Sequence, residues 1–595
     1  MTRLFNQPSA FAGELVEGFV AVHGDKVRQV PGGVVRNTRC AEGSVAVVIG
    51  GGSGHYPAFA GLVGQGLAHA AVMGNLFASP SAQQIYNVAR VAHKGGGVLL
   101  GYGNYAGDVL HFGLARDRLN AEGIACEVIA VTDDISSAGQ DELHKRRGIA
   151  GDLVVFKAAA AAAEAGYAFD DVVRVARHAN QRTRSLGVAF TGCTLPGASQ
   201  PLFSVPAGRM AVGMGIHGEP GIGESAVPSA DELAELLVAS LLREIPEGVG
   251  EPRGQRVAVI LNGLGSVKYE ELFVVYRRVA QLLDKVGLVV VEPDVGELVT
   301  SFDMAGVSLT LCWLDAELEG FWCAPSSTPA YRKGAVVKAA ALDALDLRAV
   351  AEAPIPPASA KSRRSAQCVL QVLESAERVV LENADELGRI DAVAGDGDHG
   401  IGMSRGVAAA VARAREVLAR GAGSGTLLRA AADAWADQAG GTSGAIWGVA
   451  LTAIGSSLGD SLDPDATRVA EGLRRASEGI MHFGKARVGD KTLVDVLVPF
   501  SAALEAAAAR GLELPEAWRE AAVVATDAAA ATAQLRPLIG RARPLAEKSL
   551  GTADAGAVSL ALIINAIAPV LQGGPRSLAQ QAQALPQQIQ ETIHE

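Results

Sequence analysis

At 595 residues the chain exceeds one hydrophobic core, since single cores stop growing near ~250 to 300 residues, and several domains are expected. Apolar residues make up 49% and charged residues 19%, with 70 glycines and 25 prolines, which excludes a disordered chain and fits an α/β or α-rich enzyme. A net charge of -12 with no basic stripe excludes the clustered Lys and Arg that a nucleic-acid backbone requires.

From the start to about Pro329, short β-branched runs alternate with helical stretches: Val45–Ile49, Val98–Leu100, Glu127–Val131, Val257–Leu261 and Val289–Val291. Strands spaced by helices predict parallel, doubly wound sheets with ligands outside the strands' carboxyl ends. Gly-Cys-Thr-Leu-Pro-Gly, near Ser185 to Pro206, interrupts the pattern and divides 1–335 into α/β subdomains of about 1–190 and 191–335. The Pro-, Ala- and Ser-rich text of 336–366 reads as a linker. From 367 to 595 Ala and Leu dominate at i, i+3, i+4 spacing, predicting an all-helical barrel or bundle that ends in a Gln-rich tail. The run Ala555–Leu571 contains Ser559, Asn565 and Pro569 and falls short of the ~20 apolar residues of a membrane span, so it reads as a buried helix and no membrane partner is expected. The start lacks a signal-peptide pattern, and Cys40, Cys126, Cys193, Cys312, Cys323 and Cys368 form no C-x-x-C pair, so a reducing cytoplasm is expected.

In the first half, Gly50-Gly51-Gly52-Ser53-Gly54-His55-Tyr56-Pro57 and Gly101-Tyr102-Gly103-Asn104-Tyr105-Ala106-Gly107-Asp108 each follow a strand and carry a titratable side chain. His217, in Gly213-Met-Gly-Ile-His-Gly-Glu-Pro, is a third candidate. Singly, each histidine reads as a structural hydrogen-bonding residue; together they suggest a constellation. Gly218 to Ser225 has the glycine spacing of a Walker A loop, but Glu224 stands where the phosphate-binding Lys belongs.

In the second half, Asp391-Ala-Val-Ala-Gly-Asp396-Gly-Asp398-His399-Gly400 offers three carboxylates on a glycine-bent loop, hard oxygen ligands suited to Mg2+ and phosphate. The alternative is a solvated acidic loop; an EF-hand is excluded because Gly402 occupies the position of its closing Glu. Gly440-Gly441-Thr442-Ser443-Gly444 opens a helical stretch, which makes either an anion site or an ordinary cap. Gly489-Asp490-Lys491-Thr492 and Gly540-Arg541-Ala542-Arg543 place cations near glycines, where a surface charge pair is the plainer reading.

These strings, with Gly74-Asn-Leu-Phe-Ala-Ser-Pro-Ser81, the RRGIAGDLVVFK segment from Arg146 and GRARPLAEKSLGTADAGAVS, resemble dihydroxyacetone kinases across both halves, in the family's order, to about Leu571. The resemblance implies a ketose site in the first half and a Mg-ATP site in the second. His217 would form a hemiaminal with the ketone, Asp108 would serve as general base, and His55 would orient the reacting hydroxyl, with Gly52, Ser53, Gly54, Tyr56 and Gly103 lining the sugar. Asp391, Asp396 and Asp398 would hold two Mg2+ ions. His399, Gly400, Met403, Ser404, Gly441, Thr442, Ser443, Gly489, Asp490 and Arg541 would contact the nucleotide. Fused halves imply exchangeable ATP as donor, and relatives of this type imply a homodimer in which helical domains are swapped.

Two positions depart from the family. Tyr56 replaces a Glu, and Gly103 replaces a Lys that reaches the sugar's oxygens; the glycine is expected to leave room for one more CHOH group. A ketotetrose such as erythrulose is therefore the preferred acceptor, with dihydroxyacetone close behind. The alternatives are an inactive ketose-binding regulator and an FAD-cleaving, cyclic-FMN-forming lyase.

Overall fold

The computed structural model describes residues 4–337, 339–341, 355–395, 397–539, 543 and 546–573. Its contacts divide the chain into Met1–Ala351 and Glu352–Glu595.

In the first unit, six strands, β1 (Val27–Val30), β2 (Gly33–Arg36), β3 (Ala46–Ser53), β4 (Ala70–Leu76), β5 (Val98–Gly103) and β6 (Cys126–Val131), form a sheet of order β1-β2-β4-β3-β5-β6. Its β4, β3, β5 and β6 run parallel, as the alternation with helices predicts, while β1 and β2 form an antiparallel edge. The helices α1 (Phe11–His23), α2 (Ala82–Ala92) and α3 (Ala106–Ala121) belong to this part of the chain. The start of α2 is fixed by a reciprocal cap, in which Ser81 Oγ accepts from Gln84 N and Gln84 Oε1 accepts from Ser81 N.

After α4 (Gly151–Glu164) and α5 (Phe169–Arg182), the strands β7 (Thr183–Ala189), β8 (Arg209–Val212), β9 (Gly223–Ala226), β10 (Arg256–Gly263), β11 (Val289–Val290), β12 (Asp294–Gly296) and β13 (Gly306–Leu314) build a second sheet, order β11-β10-β13-β7-β8-β9, with β12 beside β10. This sheet corrects two expectations. The β10/β13, β13/β7, β7/β8 and β8/β9 pairs are antiparallel, so it is not doubly wound in parallel; among the described residues only β11 and β12 run parallel to β10. Because β7 pairs with β13, the sheets part between β6 and β7, upstream of the boundary expected near 190. The misreading has a cause. A strand buried on both faces is apolar throughout, whichever direction its neighbours run. Val257, Val259 and Leu261 of β10 join the core containing α6 (Ala230–Leu242) and α7 (Tyr269–Lys285), while Ala258 and Ile260 face the core of α4.

The run Gly151–Ala163 of α4 is buried throughout and touches strands of both sheets. A helix so largely apolar belongs in such a place, and its Asp152 and Lys157 are buried with the rest. A short helix, α8 (Ala316–Cys323), packs on it.

The second unit contains α9 (Ala360–Glu382), α10 (Ala384–Asp391), α11 (His399–Ala419), α12 (Ser424–Ala439), α13 (Gly441–Leu458), α14 (Ala466–Gly484), α15 (Val494–Ala509), α16 (Leu514–Ala531) and α17 (Ala555–Leu571). From α11 to α17 each helix packs on the next; α17 returns to α9, and α9 to α11, closing a ring around an Ala- and Leu-rich core. The 336–366 stretch is not all linker, since α9 begins at Ala360. Pro356 and Pro357 precede it, Ser359 caps it by accepting from Ser362 N at 3.0 Å, and the serines that suggested a linker form its first turn. The Gln-rich tail lies outside the described residues. Among those residues no helix is long and apolar enough to cross a membrane.

Candidate active site

Much of the glycine-rich text after the first two apolar runs is strand, not loop: β3 extends to Ser53 and β5 to Gly103, all buried. At Gly54 the backbone has φ +109, and a Cβ would stand 2.7 Å from the Phe77 ring and 2.9 Å from Phe302, so glycine alone makes this turn. The next residue, His55, is 2% exposed and stacks on Phe77 with ring centroids 4.9 Å apart. Its Nδ1 lies 2.8 Å from Thr300 O and its Nε2 3.0 Å from His217 Nε2, with the two rings perpendicular.

Proton positions follow from the partners. A carbonyl oxygen only accepts, so His55 Nδ1 carries the hydrogen and its Nε2 is bare. His217 Nδ1 faces Glu219 Oε1 at 3.1 Å and also donates. The 3.0 Å contact between the two Nε2 atoms then needs the one proton that His217 Nε2 can supply. Losing that proton leaves a lone pair on His217 Nε2, with the ring still held through Nδ1. Burial, and secondarily the charge of His217, push His55 down to about 3, so it is neutral near pH 7.

Glu219 was not singled out from the sequence. Burial alone would raise its carboxyl, but His217 and Arg147 outweigh that and hold it well below the usual carboxylate range. Glu219 Oε2 also accepts from His217 N at 3.1 Å. Arg147 lies 3.9 Å from Glu219, donates to Asp134 Oδ2 from Nε (3.0 Å) and Nη2 (2.8 Å), and reaches Gly213 O at 2.9 Å. These contacts strap both ends of the His217 loop. A Cβ on Gly215 would come 2.0 Å from Glu219 Oε2. The variant Glu219→Gln keeps the shape and removes the charge that favours the Nδ1-H form. Ketose kcat/KM is expected to fall about ten- to a hundredfold with Mg-ATP affinity unchanged; an unchanged ketose kcat/KM contradicts this role.

Asp108 sits in the first turn of α3, not on a loop, and is 7% exposed with Oδ1 lacking a hydrogen-bond partner. Burial lifts its carboxyl to about 7, against the opposing effect of a hydrogen bond from Ser79. The same short segment carries Phe77, whose ring meets both histidines, and Tyr105 at the start of α3 sets its ring edge against His217 at 4.6 Å. His55, His217 and Asp108 are thus linked through one cluster. Ser53 Oγ donates to Gly74 O at 2.7 Å, and a Cβ on Gly52 would stand 2.8 Å from Ala78 N, so both fix the 74–78 segment. Tyr56 turns its ring toward Phe19 of α1. Gly103 does not leave the expected space: a Cβ there would meet Tyr105 at 3.2 Å and both Asp152 and Gly148 at 3.4 Å.

In the helical unit, Asp391 ends α10 and Asp398 precedes α11. Asp391 Oδ2 accepts from Gly397 N at 2.9 Å, folding the loop back. Burial, and next the charge of Asp391, lift Asp398 to about 6. Two hard carboxylates that repel are a fitting donor set for Mg2+. Asp396 and Arg541 lie outside the described residues, and no group of three potential ligands assembles among those described. His399 Nε2 lies 3.0 Å from Ser559 Oγ, tying the start of α11 to α17, and burial lowers its basicity. Gly400 leaves no room for a Cβ against Ala384 O, Ser404 Oγ donates to Gly400 O, and Met403 is buried. Gly440 and Gly441 take positive φ and begin α13, with Thr442 exposed and Ser443 in its first turn. A Cβ on Gly402 would lie 3.9 Å from Ala439 O, so the start of α11 neighbours the end of α12, where α13 begins.

The 489–495 turn is organised differently from a surface charge pair. Asp490 Oδ2 accepts from Arg487 N at 2.7 Å, Gly489 N and Thr492 N donate to Asp495, and buried Lys491 donates to Ser549 O at 2.6 Å. Asp554 was also missed by sequence reading. It caps α17 by accepting from Ala557 N at 2.8 Å; burial lifts it to about 7, with Asp495 and Asp391 adding to the rise and Lys491 opposing it.

The match to protein-family models follows the same division: residues 17–330 match the Dak1 domain and 393–569 the DAK2 domain. The chain belongs to the dihydroxyacetone kinase family. It is a phosphotransferase with an alcohol acceptor, built like the family's fused members. It is 68% identical over 577 residues to the L-erythrulose kinase of Pectobacterium atrosepticum, covering 97% of this chain and 98% of that one. It is 53% identical over 573 residues to the D-erythrulose kinase of Mycolicibacterium smegmatis, covering 96% and 98%. A crystal structure of the dihydroxyacetone kinase from C. freundii with AMP-PNP and Mg2+ matches 95% of this chain and 99% of that chain, with TM-score 0.50 and 29% identity. AMP-PNP is an ATP analogue, so that structure supports ATP and Mg2+ as donor and metal for a fused chain of this kind.

Proposed function

We propose that this chain transfers the γ-phosphoryl group of ATP to a terminal hydroxyl of erythrulose, with dihydroxyacetone a poorer acceptor. The carrying observation is the Glu219–His217–His55 chain together with a buried Asp108 whose Oδ1 lacks a hydrogen-bond partner. Two relatives similar over nearly the whole chain, each named an erythrulose kinase, support the choice of acceptor.

In this reading His217 Nε2 gives up its proton, its lone pair attacks the ketone carbon, and the carbonyl's π pair takes up that proton to become the hemiaminal hydroxyl. The resulting imidazolium keeps its Nδ1 hydrogen against Glu219, whose negative charge suits it. Asp108, ionised above about pH 7, accepts the proton of the terminal hydroxyl as it attacks phosphorus. Reversal of the C–N bond then releases the ketose phosphate. Asp391, Asp396 and Asp398 would hold two Mg2+ ions, which when bound neutralise charge on the β and γ oxygens. The first turns of α11 and α13 and the 489–495 turn would hold the nucleotide. The ketose half covers about 1–335 and the nucleotide half follows the linker; a cytoplasmic homodimer with swapped helical halves completes the proposal.

Asp391→Asn should weaken Mg-dependent ATP binding at least about tenfold in calorimetry, with ketose binding intact. Unchanged Mg-ATP affinity removes Asp391 as a ligand. The acceptor itself is tested by steady-state rates with D-erythrulose, L-erythrulose, dihydroxyacetone and glyceraldehyde. A dihydroxyacetone kcat/KM above that of both erythrulose enantiomers overturns the tetrose assignment and leaves the kinase.

A further inference from the structure

Beside the ketose site lies a buried acid that the chemistry above does not use. Asp152, in the first turn of α4, is 3% exposed, yet its Oδ1 has no hydrogen-bond partner. Folded chains pair nearly all such atoms, so an empty bonding position on a carboxyl is a feature to explain.

Two glycines set its surroundings. A Cβ on Gly148 would stand 2.5 Å from Gly103 Cα and 2.8 Å from Asp152 Oδ1, so the end of β5 and the segment before α4 touch backbone to backbone with the acid alongside. A side chain growing from Gly103 would meet Asp152 Oδ2 at 3.4 Å and the Tyr105 ring at 3.2 Å. Asp152 therefore fills the place that a larger residue 103 would take. Tyr105 donates from its hydroxyl to Gly148 O at 3.0 Å and sets its ring against His217 at 4.6 Å. One half-buried aromatic ring thus separates the acid from the nucleophile. Burial, with the charges of Asp133 and Asp108 adding to it, holds the Asp152 carboxyl well above the usual range. A protonated carboxyl offers a donor as well as an acceptor.

We propose that Asp152 is a specificity-determining residue: once Tyr105 moves aside, its carboxyl group hydrogen-bonds the secondary hydroxyl that a ketotetrose has and dihydroxyacetone lacks. This inference rests on the ketotetrose reading above. With the tetrose bound, the empty position is filled; with the triose it stays empty in a buried site, so discrimination arises from the unpaired acid as much as from the added bond.

The test is the ratio of kcat/KM for erythrulose to that for dihydroxyacetone in wild type, Asp152→Leu and Asp152→Asn, with melting temperature measured alongside. In Asp152→Leu, erythrulose kcat/KM is expected to fall about ten- to a hundredfold while that of dihydroxyacetone stays within about twofold. The melting temperature is expected to hold or rise, because an unpaired acid has been replaced by an apolar group of similar size. Asp152→Asn should keep most of the preference. Equal losses on both substrates, or no loss on either, overturn the assignment. Should Asp152→Leu fail to fold, Gly103→Ala makes the same comparison, since its methyl intrudes between Tyr105 and Asp152: a lowered ratio supports the role and an unchanged one overturns it. A wild type that turns over no ketotetrose overturns the functional reading itself, a result distinct from an unchanged ratio in active variants.

Discussion

Asp108→Asn stops phosphoryl transfer and leaves ketose capture intact. The amide keeps the shape of the carboxyl in its buried place at the start of α3 but cannot take up the hydroxyl proton, and a general base contributes about 10²- to 10⁴-fold. Single-turnover rates should therefore fall by at least about a hundredfold, while intact-protein mass still shows the ketose adduct. The wild-type rate should climb about tenfold per pH unit and level off near pH 7, where burial places the ionisation of Asp108. Stability moves the opposite way. The folded carboxyl is protonated above its unfolded value, so its contribution is full below about pH 4 and lost as pH rises through about 7. The Asn variant, which never ionises there, should melt no lower than wild type at pH 8. A near-normal rate in Asp108→Asn, or a wild-type profile flat from pH 5 to 8, removes Asp108 from the base role.

His217→Ala has the complementary effect. Removing the imidazole removes the atom proposed to bond the ketone, so the mass adduct should vanish and ketose kcat/KM should fall at least about a hundredfold, the scale on which misplaced reactants are felt. Mg-ATP affinity should not change. His55 loses its Nε2 partner but keeps its bond to Thr300 O, so the fold around β3 is expected to persist. An adduct that survives in His217→Ala reassigns the nucleophile.

What was legible in the sequence depended on whether a feature is local. His55, Asp108 and His217 lie in short glycine-bounded strings, and a helix's 3.6-residue period declares itself over a few turns, so these candidate residues and the helical half stood out. Residues joined only by the fold did not. Arg147 and Asp134 are 13 positions apart and meet because the chain returns to the end of β6. Glu219 lies two residues from His217, but one acid on a glycine-rich stretch reads as surface until its hydrogen bonds are known. Asp152 lies in the first turn of α4, where an acid reads as a favourable charge; only its burial and unfilled Oδ1 mark it. Gly103 was noticed for the right reason and misread in consequence, because the space it frees is taken by Tyr105 and Asp152. Strand direction in the second sheet was hidden by burial on both faces.

The central claim is that an acceptor ketose is phosphorylated at a terminal hydroxyl at the expense of ATP. Phosphorus-31 NMR of the enzyme with ATP, Mg2+ and erythrulose tests it most directly. The account predicts a new phosphate monoester on a terminal carbon, formed one for one with ADP and abolished in Asp108→Asn. ADP formation that never exceeds the ketose-free background with any triose or tetrose would contradict it.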